Sequence, residues 1–221
     1  MDGVIVINKP QGITSHDVVS FVRRKFRMRR VGHAGTLDPL ATGVLIILVG
    51  RATKLFSRFE SFDKAYRATL KLGMVTHTAD IHGNVLFEKS CDAVTQEQVE
   101  SVIAKFTGDI EQTPPMVSAV KVKGKRLYNL ARQGIEVERK PRKIHINLLR
   151  LVKFFSPLVE FYVECSKGTY VRQLAHDIGE ALGCGACITQ IERTKVGPFA
   201  IQEAVTLEDL NESHVRRWPQ A

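Results

Sequence analysis

An unbroken apolar run in the first quarter of the chain constrains its fold more than any other feature. Residues 43–50 read GVLIILVG, six aliphatic residues in succession between two glycines. The run is far shorter than the roughly 20 residues that a helix needs to cross a bilayer. Its length and its bounding glycines predict a buried strand instead. We therefore expect a folded domain with a core around this strand rather than a membrane protein.

The segments around this strand show strand and helix patterns without a regular βαβ rhythm. Residues 159–165 alternate between apolar and polar side chains, whereas residues 171–182 have helical spacing that puts Arg172 in the first turn. Ser15 is positioned to cap an earlier helix. Strict alternation over residues 64–72 places four side chains on one face: Tyr66, Ala68, Leu70 and Leu72. The mixture predicts an α+β domain with a mixed, largely antiparallel sheet flanked by helices and loops.

The composition describes an ordinary folded protein with an excess of positive charge. Of the 221 residues, 44% are hydrophobic and 25% are charged, which excludes a disordered tail protein or a collagen-like repeat. The chain has 32 lysines and arginines against 23 aspartates and glutamates, a net charge of +9. This balance favours an acidic partner, most simply a nucleic acid.

The basic residues are concentrated in two clusters. One occupies residues 23–30 without an acidic residue among them, and the other occupies residues 121–143, where only Glu136 and Glu138 are acidic. A charge run is usually a solvated face. Two dense clusters on a basic chain favour phosphate binding instead, and the second has the glycines and proline of a protruding loop. Its candidate contacts are Lys121, Lys123, Lys125, Arg126 and Arg132.

A loop rich in glycine lies directly before the buried strand. Residues 32–43 read GHAGTLDPLATG, in which three glycines, a proline and two threonines surround Asp38. Pro39 restricts Asp38 to an extended or turn conformation. Gly35 and Gly43 permit a close approach of other backbone segments. On this pattern alone, Asp38 could equally be a reactive carboxylate or the cap of a turn.

Five blocks of sequence resemble motifs of the TruB family of tRNA pseudouridine synthases, in the family's order. Residues 32–43 resemble its catalytic motif, and residues 9–15 (KPQGITS) resemble its N-terminal motif. Residues 63–66 (DKAY) resemble its tyrosine motif, and residues 166–172 (SKGTYVR) its arginine motif. An RNA-gripping insertion is expected over about residues 112–143. The resemblance covers nearly the whole chain.

The resemblance implies a pseudouridine synthase fold in a single catalytic domain over residues 1–221, without the PUA domain that many bacterial members carry. It implies conversion of uridine 55 in the T-loop of tRNA to pseudouridine, after the base is flipped out of the loop. The reaction needs no cofactor and no metal. The expected partner is the tRNA T-arm, bound by a monomer without an obligate protein partner or a membrane.

The same resemblance implies roles for individual residues. Asp38 corresponds to the nucleophile, which attacks either C6 of the base or C1′ of the ribose, and a carboxylate can leave again without a cofactor. Tyr66 corresponds to the residue that stacks on the flipped uracil. Arg172 corresponds to an arginine that pairs with the aspartate and keeps it ionised. His33 corresponds to the histidine that enters the RNA loop. Three further residues line the same pocket: Lys9, Tyr170 and Ile191.

Two other interpretations need separate evidence. A non-catalytic RNA-binding protein with this fold would have no use for Asp38, Tyr66 and Arg172 together. A hydrolase that depends on Asp38 would require a second carboxylate as acid or base. Asp80 is the candidate for that carboxylate, although nothing in the sequence places it near Asp38.

Metal and redox chemistry are not expected. Cys184 and Cys187 have the spacing of half a zinc site, but Cys91 and Cys165 stand singly at unrelated distances. A packing role is the simplest account of these cysteines. The residues His77, Asp80 and His82 could suggest a metal site, but a surface turn is favoured. The chain opens without a basic region and a long apolar run, so we expect a cytoplasmic protein with reduced thiols.

Overall fold

The structure, a computed structural model, describes residues 1–118, 120–122, 124–131 and 133–218, with the backbone alone for 121, 122, 125, 126, 128 and 129. The helices are α1 (Ser15–Lys25), α2 (Phe56–Glu60), α3 (Gln96–Ala104), α4 (Leu127–Ala131) and α5 (Val171–Ala181). The strands up to the insertion are β1 (Gly3–Lys9), β2 (Val31–Ala34), β3 (Thr42–Val49), β4 (Lys64–Leu72), β5 (Met74–Thr76), β6 (Val85–Glu88) and β7 (Gly108–Gln112). The remaining strands are β8 (Lys121–Val122), β9 (Lys125–Arg126), β10 (Arg142–Phe155), β11 (Leu158–Cys165), β12 (Ala186–Val196) and β13 (Phe199–Ala200).

The chain divides into two compact units. The first contains Met1–Arg67 and Gln190–Ala221, and the second contains Ala68–Thr189. Strands β4 and β12 each contribute residues to both units. The strand registers within the units are antiparallel, except that β12 runs parallel to β3. The predicted α+β class with a mixed, largely antiparallel sheet is confirmed.

Strand β3 is the centre of the first unit. Its residues from Gly43 to Val49 are buried, which confirms the strand predicted from the apolar run. One edge of β3 pairs with β1 over residues 43–49. The other edge is shared, because β2 pairs with residues 46–49 and β12 pairs with Thr42 and Gly43. The loop between β2 and β3 therefore lies where two different strands meet β3.

The core of the first unit packs against this strand. Side chains from five strands and α2 contribute to one cluster, which includes Val6, Val44, Ile46, Phe59 and Val196. Aromatic rings extend it, since Phe59 stacks on Phe199 at 5.9 Å and meets the edge of Trp218 at 5.1 Å. Burial of this many apolar side chains fixes the register of β3, and with it the start and end of the preceding loop.

Helix α1 begins one residue earlier than predicted. Thr14, not Ser15, is the N-cap, and its hydroxyl accepts a hydrogen bond from the amide of Asp17, whose carboxylate in turn accepts from Thr14. This reciprocal pair is a capping box. The prediction of Ser15 as the cap is wrong because the Ser15 hydroxyl, which is buried, bonds to a distant loop instead.

The second unit is built on the strand order β4-β11-β10-β7. Helix α3 packs on β10 and contacts α5. Strand β7 ends at Gln112 and pairs with β10 at Arg142, so residues 113–141 leave and rejoin the sheet at the same place. A small apolar cluster of Met116, Leu127 and Leu130 lies inside this excursion. None of the helices in the described ranges is long and apolar enough to span a membrane.

We predict that Gly43→Ala destabilises the protein by about 2–4 kcal/mol, because two effects add. The backbone of Gly43 has a φ of +97°, which costs an L-residue about 1–2 kcal/mol. A Cβ there would also lie 2.3 Å from the carbonyl oxygen of Arg193. Gly108→Ala is the matched control, because Gly108 has a φ of +95° and no atom within 4 Å of the same position. Equal losses of unfolding free energy in chemical denaturation would contradict the close approach of β12.

Candidate active site

Hydrogen bonds hold the backbone of the loop that carries Asp38 on both sides of that residue. Leu37, directly before Asp38, accepts a hydrogen bond on its carbonyl from the Ser15 hydroxyl at 3.0 Å and donates its amide to the same hydroxyl at 2.8 Å. Pro39, directly after it, accepts one from the amide of Gly12 at 2.8 Å. Asp38 itself is half-buried, and its carbonyl accepts from the amide of Ala41 at 3.0 Å. The loop therefore presents its carboxylate from a fixed backbone.

Lys9, at the end of β1, is fully buried beside this loop. Its ammonium donates to the carbonyls of Pro10 at 2.7 Å and Ile13 at 2.8 Å. Burial lowers the pKa of Lys9 to about 8, the Asp38 carboxylate opposes this shift, and the Arg193 guanidinium adds to it. The predicted site residues Lys9 and Asp38 are thus close enough to interact electrostatically. Lys9 carries most of its charge at neutral pH and loses it in mildly alkaline solution.

His33 lies on β2, opposite Ile47 of β3, and is half-buried. Burial lowers the pKa of its imidazole, and the positive charges of Arg193 and His16 lower it further. Its Nδ1 is shielded from solvent without a hydrogen-bond partner among the described residues. A neutral imidazole is therefore the favoured form at neutral pH.

Tyr66 and Ile191 also belong to the first unit. Tyr66 is 8% exposed and lies on the buried face of β4, where the predicted alternation is confirmed by the buried Ala68, Leu70 and Leu72. Ile191 is half-buried on β12, two residues before Arg193 and on the same face of the strand. The first unit thus contains Lys9, His33, Asp38, Tyr66 and Ile191.

The second unit contains Arg172, in the first turn of α5 as predicted. The side chain is buried, which differs from an ordinary arginine on a helix surface. Its guanidinium donates to the carbonyls of Thr78 at 2.6 Å and Val117 at 2.8 Å. It also lies 3.7 Å from the carboxylate of Asp80. The predicted pairing of Arg172 with Asp38 stays a prediction.

Asp80 is a partner of Arg172 that the sequence did not reveal. It is 8% exposed, and its carboxylate accepts from the Thr78 hydroxyl at 2.8 Å and from the His82 amide at 3.1 Å. A buried carboxylate with these donors beside a buried guanidinium is well suited to hold Arg172 in place. The sequence signal was the polar turn around Asp80, but the partner lies 92 positions later in the chain, at Arg172.

Tyr170 is the N-cap residue of α5 and is held by a side chain from β7. Gln112 donates its amide to the Tyr170 carbonyl at 3.1 Å and accepts from the Tyr170 amide at 2.8 Å. Gln112 is itself buried. This two-way contact satisfies backbone groups at the start of α5 and fixes the turn that precedes Arg172. The sequence indicated Gln112 only as the first residue of the expected insertion.

The predicted phosphate contacts fall where the structure gives no side chains. Lys123 and Arg132 lie outside the described residues, and the side chains of Lys121, Lys125 and Arg126 lie outside the described part as well. The described ends of the insertion border a cavity of about 530 Å³ beside α5. Its lining includes side chains able to contact a polar ligand: His77, Arg139, Gln173 and His176.

The four cysteines are free thiols, and all of them are buried. Burial raises the pKa values of Cys184 and Cys187, so both thiols are unreactive at neutral pH. Within the described ranges, no three or more histidine, cysteine, aspartate and glutamate side chains form a group that could hold a metal ion. His77 accepts a hydrogen bond from the amide of Asn84 at 2.8 Å.

The chain matches two family models over most of its length. The family model described as the TruB family pseudouridylate synthase N-terminal domain matches residues 23–171. The model described as the tRNA pseudouridylate synthase B C-terminal domain matches residues 172–218. A tRNA pseudouridine synthase B of Clostridium tetani is 51% identical over 99% of this chain and 75% of its own length. One of Opitutus terrae is 47% identical over 94% of this chain and 86% of its own.

Solved structures share the fold. A chain in the crystal structure of a Cbf5-Nop10-Gar1 complex matches with a TM-score of 0.74 and 32% identity, over 94% of this chain. A chain in an H/ACA ribonucleoprotein bound to a substrate RNA containing 2′-deoxyuridine matches with a TM-score of 0.71 and 28% identity, also over 94% of this chain. This chain spans about half of each of these two longer chains, 53% and 52%.

We predict that Lys9 makes stability rise with pH above about 8. The folded-state pKa of Lys9 lies near 8 and its ordinary value near 10.5, so between these values the unfolded chain binds more protons and the folded state gains stability. In Lys9→Met this gain disappears. The measurement is the difference in unfolding free energy between the two proteins from pH 7 to 10.5. The raised thiol pKa values have the opposite effect, but they are common to both proteins. A difference that is constant with pH would contradict the account.

Proposed function

We propose that this chain, which belongs to the TruB family of pseudouridylate synthases, converts uridine 55 in the T-loop of tRNA to pseudouridine, with Asp38 as the nucleophile. The chain is a pseudouridine synthase, an isomerase, and its relatives support tRNA as the RNA that it modifies. The proposal adds the position of the modified uridine in the tRNA and the roles of single residues.

The assignment of Asp38 is supported by the hydrogen bonds that hold the backbone of its loop in place. Leu37 before it and Pro39 after it are both hydrogen-bonded to the segment at the start of α1. A nucleophile reacts faster when its backbone is held in place, because misplacement by about 1 Å can lower the reaction rate by a factor of 10². Lys9 adds a buried positive charge beside the loop, close enough to interact electrostatically with the Asp38 carboxylate.

The proposed reaction balances without a cofactor. The N1–C1′ bond of uridine breaks, the uracil turns, and a new C5–C1′ bond forms. The proton on C5 leaves and N1 gains one, so the substrate and product have the same composition. Asp38 adds to C6 or to C1′ and is released unchanged. No group in this sequence of steps has to be oxidised or reduced.

The other site residues serve the flipped base in this proposal. Tyr66, buried on β4, offers its ring as a stacking surface for uracil. Arg172, anchored by Asp80 and two carbonyls, supplies a positive charge that cannot be lost near neutral pH. His33, favoured as a neutral imidazole, can enter an RNA loop without the cost of burying a charge. Lys9, Tyr170 and Ile191 are the further candidates for contact with the base.

The RNA is proposed to be held by the insertion. The basic segment over residues 121–143 supplies the charge for phosphate contacts, with Lys121, Lys123, Lys125, Arg126 and Arg132 as the candidates. The cavity beside α5 places Gln173 and His176, one and four residues after Arg172, at the base of this insertion. We further propose that the chain acts as a monomer on the tRNA T-arm in the cytoplasm, without a cofactor.

The test uses tRNA transcripts that carry tritium at uridine C5, because label is released to water only when a bond forms at that carbon. We predict that the wild type releases the label carried by position 55 and that Asp38→Asn binds tRNA with retained affinity but releases none. A transcript with cytidine at position 55 is the matched substrate control. An isolated T-arm hairpin reports how much of the activity depends on the T-arm alone.

Each outcome has a distinct meaning. Turnover by pure Asp38→Asn would exclude Asp38 as the nucleophile. Release from the cytidine-55 transcript at the wild-type rate would place the reaction at another uridine. Release on whole tRNA with none on the hairpin would contradict the T-arm as the sufficient substrate.

A further inference from the structure

Arg193, on β12, is one of the largest fully buried side chains of the protein, with 1% of its surface exposed. Its guanidinium donates from Nε to the carbonyl of Val44 at 2.7 Å and from Nη2 to the carbonyl of Gly35 at 3.0 Å. Nη1 makes a longer contact to the carbonyl of Thr36, at 3.4 Å. These carbonyls belong to backbone on both sides of Asp38, so one side chain holds both ends of the loop.

Burial of a guanidinium costs more free energy than a packing role alone would justify. Removal of a charge from water costs several kcal/mol, and an apolar side chain of similar volume often serves a core equally well. In the described residues, the hydrogen-bond partners of Arg193 are main-chain carbonyls. A guanidinium spreads its N–H donors over three nitrogens and can bind carbonyls that lie apart, whereas a lysine ammonium has all its donors on one atom and methionine has none. The arrangement fixes backbone geometry in a way that apolar packing does not.

The backbone of Arg193 reinforces what its side chain does. Arg193 pairs with Gly43 in the parallel register between β12 and β3. Gly43 permits this approach, since any Cβ there would meet the Arg193 backbone. The backbone of β12 and the Arg193 side chain therefore both contact the segment in which the loop enters β3. A displacement of β12 would move the contacts to Gly35 and Val44 with it.

The charge of Arg193 also affects the pKa values of residues around Asp38. It lowers the pKa values of both Lys9 and His33, so these groups and Arg193 share one electrostatic environment. Arginine stays charged throughout the working pH range, whereas Lys9 titrates near pH 8. The first unit therefore keeps a permanent positive charge against the Asp38 loop even when Lys9 is neutral.

We propose that Arg193 is a positioning residue for pseudouridine formation, which holds the Asp38 loop in its reactive conformation through the carbonyls of Gly35, Thr36 and Val44. Ser15, through its two hydrogen bonds to Leu37, is the second anchor of the same loop. Neither side chain takes part in the chemistry. The inference rests on the proposed assignment of Asp38 as the nucleophile.

The test separates rate from binding. Arg193→Met, Arg193→Lys and Ser15→Ala are compared with the wild type in single-turnover pseudouridine formation at saturating tRNA, with the Kd for tRNA and the Tm measured in parallel. We expect Arg193→Met to lower the rate by about 10- to 100-fold, with the Kd within about threefold of wild type. Arg193→Lys keeps the charge but not the fork, so it loses rate as well. Ser15→Ala loses rate in the same direction.

The matched control is Val196→Ala, which creates a cavity in the core from the same strand but removes no hydrogen-bond donor or acceptor of the loop. It lowers the Tm but leaves the single-turnover rate of the folded protein unchanged. A rate loss in Val196→Ala as large as that in Arg193→Met would reduce Arg193 to a stability role and overturn the proposal. Full activity in a folded Arg193→Lys together with full activity in Ser15→Ala would also overturn it.

A second readout does not depend on turnover. Removal of the Arg193 charge should raise the pKa of His33, followed by its ring-proton resonances, whereas Val196→Ala should leave that pKa in place. An unchanged His33 pKa in Arg193→Met would contradict the shared electrostatic environment. Asp38→Asn is assayed alongside: if it turns over, the nucleophile assignment fails, and if it is inactive while the Arg193 variants are normal, only this inference fails.

Discussion

The hydrogen bonds from the Arg193 guanidinium to the loop between β2 and β3 are the interaction on which the candidate site depends most. They join carbonyls that lie on both sides of Asp38 to one buried side chain. The surrounding structure makes this contact feasible, because the apolar strand β3 fixes the loop ends and Gly43 admits the backbone of β12. Ser15 and Gly12 then fix the middle of the loop. The packing of the core around β3 therefore fixes the position of the Asp38 carboxylate.

The first unit concentrates positive charge around that carboxylate, and the two cations have different properties. Lys9 is buried with a pKa near 8, so its charge depends on pH, whereas the charge of Arg193 does not. In the second unit, Arg172 has its own carboxylate, Asp80, at 3.7 Å. A site that processes a polyanion benefits from this arrangement. In the proposed function, the basic segment over residues 121–143 supplies the further cations for the RNA phosphates.

The sequence predicted elements whose signal is local and missed contacts that span the chain. The β3 run, the alternation around Tyr66 and the place of Arg172 in its helix were all predicted, because periodicity reports burial directly. Ser15 was assigned as a helix cap because a hydroxyl at that point satisfies the local rule, yet its partner Leu37 is 22 residues away. Arg193 gave no local signal, since its carbonyl partners lie about 150 residues earlier. The polar turn around Asp80 was visible, but its partner Arg172 lies 92 positions later.

The central claim is that a fixed loop delivers the Asp38 carboxylate to one position. The most direct test is the single-turnover rate of Asp38→Glu on whole tRNA, since this substitution keeps the charge and moves the carboxylate by one methylene. If the loop is fixed, the displaced carboxylate cannot be accommodated by backbone movement, and the rate should fall by at least about 10²-fold with tRNA affinity retained. A rate close to that of the wild type would mean that the loop adjusts to the longer side chain, and the account of a fixed nucleophile would be wrong.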